Sequence, residues 1–302
     1  MEGCELIRKT IESEEEAGVL IGRFGTIEFD VLYAKWNGHA ITKDMLSVLE
    51  RNAGVFGSVS DINRWCNEYS EAVKETEIMA TGWYEPIRIK EQRLLKSMEF
   101  NGKQVALRSL EPYYWDESVR WSRVLKGKVC VVSSFADTIM KQLSSGASGA
   151  SGASGASGAS GIWSKVDGKM WGEDIEWSAV RTGYAPSLAL GRASWACVSS
   201  DLDPSSWSDS VDYVVKEVLL TGARTVIIGC GGLGMIIGAR LKAAGKICIV
   251  LGGATQVLFG IKGRRWETHS VISKLWGTDW VWPAKDETPG GASEVERGCY
   301  WF

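Results

Sequence analysis

An alternation in the chain constrains its fold more than any other feature. Five short apolar runs, at 18–22, 104–107, 128–132, 225–228 and 247–251, are separated by longer segments with helical spacing. Those segments lie at 26–36, 42–52, 61–74, 118–125, 206–220, 233–244 and 254–260, with a further helix-like stretch at 135–143. A continuous apolar run suits a strand buried on both faces, and strands alternating with helices build parallel sheets. The pattern predicts an α/β fold, Rossmann-like, with a mostly parallel sheet and helices on both faces. In such sheets ligands sit beyond the carboxyl ends of the strands, so the turns that follow the strands are where function is sought.

One segment departs from the pattern. Residues 145–161 repeat Ser-Gly-Ala strictly and contain nothing able to bury apolar surface, which predicts a flexible coil. The regularity is that of an artificial linker standing in place of a natural loop. It divides the sequence into an N-terminal half, 1–144, and a C-terminal half, 162–302, that holds the glycine-rich turns suited to a nucleotide-sugar.

Composition removes several classes. The net charge of −3 argues against a dedicated nucleic-acid binder. No apolar run is long enough to span a bilayer, and the acidic N-terminus lacks the basic and apolar regions of a signal peptide. Seven cysteines without a C-x-x-C pair read as free, packed thiols in a reducing compartment, the cytoplasm. With only His39 and His269 present, a histidine-rich zinc site is not expected, and any metal would be a hard cation held by carboxylates and phosphates. Fifteen tryptophans are expected mostly in the core, with a few free to stack on a sugar or a base.

Four turns carry candidate chemistry. In residues 225–234, TVIIGCGGLG, the glycines Gly229, Gly231 and Gly234 fit G-x-G-x-x-G after a strand and before a helix, with Gly232 between them. Glycines there let a diphosphate approach the backbone and the helix N-terminus. A dinucleotide site also needs an acid near the end of the next strand, and ICIVLGGATQ has none. In the second turn Gly252 and Gly253 are followed by Thr255 and Gln256, then by the basic loop GIKGRRW, where Arg265 is placed to clamp a phosphate. The third, IGRFGTIE, supplies Arg23, Gly25, Thr26 as a candidate N-cap, and Glu28 in the first helical turn. Glu28 is suited to act as a base, hold a metal, orient a hydroxyl or simply complement the helix dipole. The fourth, VVSSFADT, offers Ser133, Ser134 and Asp137. Asp201-Leu202-Asp203 spells D-x-D but precedes Pro204 and two serines, the composition of a capping loop.

Taken together, GRFGTIE, GCGGLG, GKICIVLGGATQVLFGIKGRRW and the closing GCYW resemble the GT-D-type glycosyltransferases over nearly the whole chain outside the repeat. Thr26-Ile27 stand where that group commonly has Asp-Gly, which removes a cation-binding carboxylate and leaves the need for Mn or Mg open. The resemblance implies a UDP-sugar donor and an oligosaccharide or glycoprotein acceptor. In its most specific form it implies xylose moved from UDP-xylose to a fucose of a viral capsid-protein N-glycan, in host cytoplasm. Sugar transfer needs a stabilised leaving diphosphate and a deprotonated acceptor hydroxyl. Glycine-turn amides with Arg23 or Arg265 suit the first task. Glu28 is the first choice for the second, with Asp137 and Glu111 behind it, and inversion needs only one such base. The alternatives are a dinucleotide-binding oxidoreductase or other nucleotide-binding protein built on residues 229–234, and a carbohydrate-binding module built on the tryptophans.

Overall fold

A computed structural model describes residues 2–13, 17–82, 84–144, 161–189, 195, 198–199 and 201–302. Seven strands form one sheet: β1 (Val19–Arg23), β2 (Ile78–Thr81), β3 (Lys103–Ala106), β4 (Gly127–Ser133), β5 (Ile175–Arg181), β6 (Thr225–Gly229) and β7 (Ile247–Val250). Their order is β3-β2-β1-β7-β6-β4-β5, and every pairing is parallel. β4 precedes the repeat in sequence yet lies between β5 and β6, and β1 pairs with β7. The sheet is therefore continuous across both halves of the chain.

The period of two along the strands divides the core. Val19, Ile21, Val129, Val131, Ile227 and Ile249 face one layer of helices, formed by α1 (Glu2–Ser13), α6 (Ala136–Ser144) and α9 (Ala254–Leu258). Leu20, Cys130, Val132, Ile228, Cys248 and Val250 face the other layer. It contains α2 (Thr26–Trp36), α4 (Val59–Lys74), α5 (Glu85–Ser97), α7 (Trp207–Leu220) and α8 (Gly234–Ala243). The side chains of the central strands are buried on both faces, and each such Val, Ile or Leu contributes about 1.5–3 kcal/mol. α3 (Lys43–Ala53) leaves this layer at Gly54, a left-handed C-cap with φ of 72°.

This arrangement fixes where clefts open. The chain leaves β1 and β6 toward one layer and leaves β4 and β7 toward the other. At β1/β7, β7/β6 and β6/β4, neighbouring strands thus send their connections to opposite faces, and crevices form between the diverging turns on either side of the β7–β6 pair.

Several local expectations are corrected. Residues 118–125 do not form an α-helix. They make two short 3₁₀ turns, Glu117–Val119 and Trp121–Val124, broken where Arg120 turns extended and its buried guanidinium donates to the carbonyls of Trp115 and Lys169. Thr26 is not the N-cap of α2, because Gly25 holds that position. Strands β2 and β5 and helices α1 and α5 were not foreseen. β2 is only four residues long, and β5 is an edge strand interrupted by Glu176 and Ser178. The expected free thiols are found at Cys4, Cys66, Cys130, Cys230, Cys248 and Cys299. Burial pushes the Cys66 and Cys130 thiols up to about 11. Cys197 and residues 145–160 of the repeat lie outside the described residues. Among the described residues no helix is long and apolar enough to cross a membrane.

Candidate functional site

The two crevices hold two cavities that share Asn52, Gly231, Gly252, Gly253 and Tyr300 along a common wall. The wider, of about 480 Å³, opens between β1 and β7 and is polar. The narrower, of about 130 Å³, lies between β4 and β6 and is walled by Phe135, Tyr184, Leu188, Trp195 and Trp301.

In the wide cavity the turn after β7 is flanked by two guanidinium groups. Arg23, the last residue of β1, donates from Nε to the Phe24 carbonyl at 2.9 Å, which turns its outer nitrogens toward Gly252. A Cβ built on Gly252 would lie 3.6 Å from Arg23 Nη1, and one on Gly253 would lie 3.1 Å from Arg265 Nη1. Gly252 also has φ of 60°, which a side chain resists. Arg265 is held by three neighbours. Its guanidinium lies 4.6 Å from the Tyr300 ring centroid and 5.1 Å from that of Trp266, and its Nη2 pairs with Glu296 at 2.7 Å. Two fixed positive charges beside adjacent glycines suit an anionic group that approaches the backbone closely.

Besides Glu296, which is paired with Arg265, two further carboxyls line the same space. Glu28, on the first turn of α2, folds back over Gly25, where any Cβ would overlap its carboxylate. Burial pushes its carboxyl above the usual range, against the pull of its own backbone N–H and of Arg23. Glu111, in the 3₁₀ segment after β3, is likewise raised by burial and opposed chiefly by Arg23. Arg23 thus serves both carboxyls and still fronts Gly252. A carboxyl raised above its ordinary range is, once ionised, a stronger base than an exposed one. Arg108, stacked 4.8 Å from the Tyr114 ring centroid, and His269 complete this wall. His269 Nδ1 accepts from the backbone N–H groups of Val271 and Ile272, which leaves Nε2 to carry the proton of a neutral ring.

The glycine turn after β6 is built differently. Gly231 has φ of 43°, and a Cβ there would lie 2.7 Å from the Ala53 carbonyl oxygen at the end of α3. One on Gly229 would lie 2.7 Å from Thr255 Oγ1, and one on Gly234 would lie 3.1 Å from Val250 Cγ1. The carbonyl of Gly232 accepts from Trp65 Nε1 at 2.9 Å. These glycines admit the protein's own backbone and side chains.

The fourth turn is also occupied internally. Ser133 Oγ accepts from the Phe135 N–H, and Glu287 accepts from the N–H groups of Asp137 and Thr138 and from the Thr138 hydroxyl. A buried carboxylate of the chain therefore fills the start of α6. Asp137 turns away and pairs with Arg181 at 2.9 Å.

The structure brings most of the sequence candidates together. Arg23, Gly25, Thr26, Glu28, Glu111 and Arg265 line the wide cavity, and Ser133, Ser134, Gly229, Thr255 and Gln256 line the narrow one. Gly231, Gly252 and Gly253 line both. Gly232, Gly234, Asp137, Asp201 and Asp203 line neither. Sequence reasoning missed Asn52, Arg108, Tyr114, His269 and Glu296, which stand on separate segments and carry no local motif. Among the described residues no group of three or more His, Cys, Asp or Glu side chains is arranged to hold a metal ion.

No family model, curated protein or solved structure matches the chain.

Proposed function

We propose that the protein is a glycosyltransferase that moves a sugar from a nucleoside-diphosphate donor to a sugar hydroxyl, with inversion. The observation that carries this reading is the placement of Arg23 and Arg265 against Gly252 and Gly253 in one cavity with the buried carboxyl of Glu28 and the half-buried one of Glu111. The acceptor oxygen attacks the anomeric carbon and its proton passes to Glu28. The bond from that carbon to the diphosphate oxygen breaks, and the electron pair leaves with the diphosphate, whose charge Arg23 and Arg265 balance. Glu111 is the alternative base. UDP-xylose and a fucose hydroxyl are the donor and acceptor we propose for it, on the likeness of GRFGTIE and GGATQVLFGIKGRRW to GT-D-type enzymes.

The dinucleotide reading is weaker on two counts. It rests on the turn whose glycines are filled by Ala53 and Thr255, and β7 ends without an acid to grip a ribose. Incubation with UDP-xylose and a fucoside is the direct test, read as UDP release and as the anomeric configuration of the product. A thermal-shift panel sets the ranking, since ligand at about a hundred times its Kd adds about 2.7 kcal/mol. Stabilisation by UDP and not by NAD supports the proposal, and the reverse removes it.

A further inference from the structure

His269 lines the wide cavity with one ring nitrogen committed and the other open. Its backbone is anchored at both ends. The N–H donates to the Trp266 carbonyl at 3.1 Å, and the carbonyl accepts from the N–H and the hydroxyl of Ser273. Nδ1 accepts from the N–H groups of Val271 and Ile272, both at 3.2 Å. The Trp266 ring packs edge to face against the imidazole, with centroids 5.8 Å apart. These contacts fix the ring. Nε2, which then carries the hydrogen, donates to no atom of the described residues. Unlike the indole nitrogen of Trp266, it keeps contact with solvent.

Charge and position say what such a donor suits. Burial, with the Arg108 guanidinium nearby, holds the imidazole below its ordinary pKa, so the ring is neutral at neutral pH. A neutral N–H suits an uncharged oxygen such as a hydroxyl, whereas Arg23 and Arg265 suit anionic ones. A Cβ built on Gly252 has only Arg23 within 4 Å, and the atoms nearest to one on Gly253 belong to Arg265 and Tyr300. His269 therefore stands back from the turn proposed to take the diphosphate. It shares its part of the lining with the rings of Tyr114 and Trp266, and aromatic rings with a few placed polar groups suit a small neutral ligand.

We infer that His269 is a specificity-determining residue for the acceptor sugar, donating from Nε2–H to one of its hydroxyl oxygens. This rests on the glycosyl-transfer reading above and adds a contact that neither binds the diphosphate nor takes the proton.

The two nitrogens can be tested apart, because Asn places its amide near Nδ1 and Gln places its amide near Nε2. His269→Asn keeps an acceptor for the two backbone N–H groups and loses the donor in the cavity. His269→Gln keeps that donor and loses the acceptor. A methyl fucoside and UDP are titrated separately into the full chain, and Tm is read on the same preparations. His269→Asn should hold its Tm and bind the fucoside about five- to tenfold more weakly, the worth of one hydrogen bond. His269→Gln should lower the Tm and bind the fucoside as the parent does. UDP affinity should be the same in all three. Fucoside binding unchanged by His269→Asn would make His269 a structural residue only and overturn the proposal. Equal weakening by both variants would assign the effect to packing of the ring, with the same consequence. Loss of UDP binding in place of fucoside binding would overturn the acceptor assignment, as would a parent that binds UDP and no fucoside. A parent that binds neither removes the glycosyl-transfer reading itself.

Discussion

The two glycine-rich turns at the centre of the sheet look alike in sequence and differ in what their glycines admit. After β6, the positions where side chains would stand at Gly229, Gly231 and Gly234 are taken by Thr255, Ala53 and Val250. After β7, those of Gly252 and Gly253 face the guanidinium groups of Arg23 and Arg265. The first turn spends its glycines on close packing of α3 and α8 against the sheet, and the second on an approach lined with charge. A glycine motif reports only that something comes close to the backbone. What comes close is decided by elements distant in sequence, here the end of α3 and the last residue of β1.

The largest effect should come from the charged side of this comparison. Glu28→Gln keeps size and the hydrogen bond from its own backbone but removes the base, so turnover should fall by about 10² to 10⁴. Its Tm at neutral pH should hold or rise, because a buried carboxyl is exchanged for a neutral amide. Glu111→Gln, measured in parallel, should lose much less activity. The opposite order would transfer the role of base to Glu111.

On the packed side, Gly231→Val should damage the fold itself. The valine would need φ of 43° and would meet the Ala53 carbonyl, a combination that costs about 2–5 kcal/mol. Denaturant unfolding should show that loss. A fully stable variant would mean that the end of α3 moves aside and that the two turns are less different than they look.

Gly253→Ala is the counterpart on the charged turn and a smaller change. Its methyl would press on the end of the Arg265 side chain, 3.1 Å away, and on the edge of the Tyr300 ring at 3.2 Å, and not on backbone. Stability should change by under about 1 kcal/mol, while UDP affinity falls several-fold as Arg265 is displaced. Calorimetry and thermal unfolding on one preparation check both halves. Unchanged UDP affinity would return this turn to the same class as the one after β6.

How much of this was legible beforehand follows from which contacts are local. The parallel sheet was, because β1, β4, β6 and β7 are buried on both faces and read as unbroken apolar runs. β5 was hidden because an edge strand with Glu176, Ser178 and Arg181 does not give such a run. Arg23, Glu28, Gly252 and Gly253 were found as members of turns that follow strands, and Arg265 in the basic loop beyond the second of them. Glu287 was not, although it decides that the turn after β4 is filled, because its partners Asp137 and Thr138 lie about 150 residues earlier. Asp137 was ranked as a possible base on its position early in a helix, and only the structure shows its pairing with Arg181.

The smallest effect, and the one that isolates a single group, is the pH dependence of stability. Burial holds the carboxyls of Glu28, Glu91 and Glu111 above their ordinary range. A carboxyl raised in the folded state binds its proton more tightly there than in the unfolded chain. Its contribution to stability is complete below the unfolded value near 4.5 and is lost as pH rises through the raised folded value. Glu28→Gln cannot titrate at this position, and Glu91 and Glu111 remain in both proteins. The Tm of the variant minus that of the parent should therefore be lowest at acid pH and grow toward neutrality. Over the same interval the parent's turnover should increase as Glu28 loses its proton and becomes competent as a base. A Tm difference independent of pH would mean that Glu28 keeps an ordinary carboxyl in the fold. It would also remove the burial argument for preferring it as the base, leaving the choice between Glu28 and Glu111 to the turnover of the two glutamine variants.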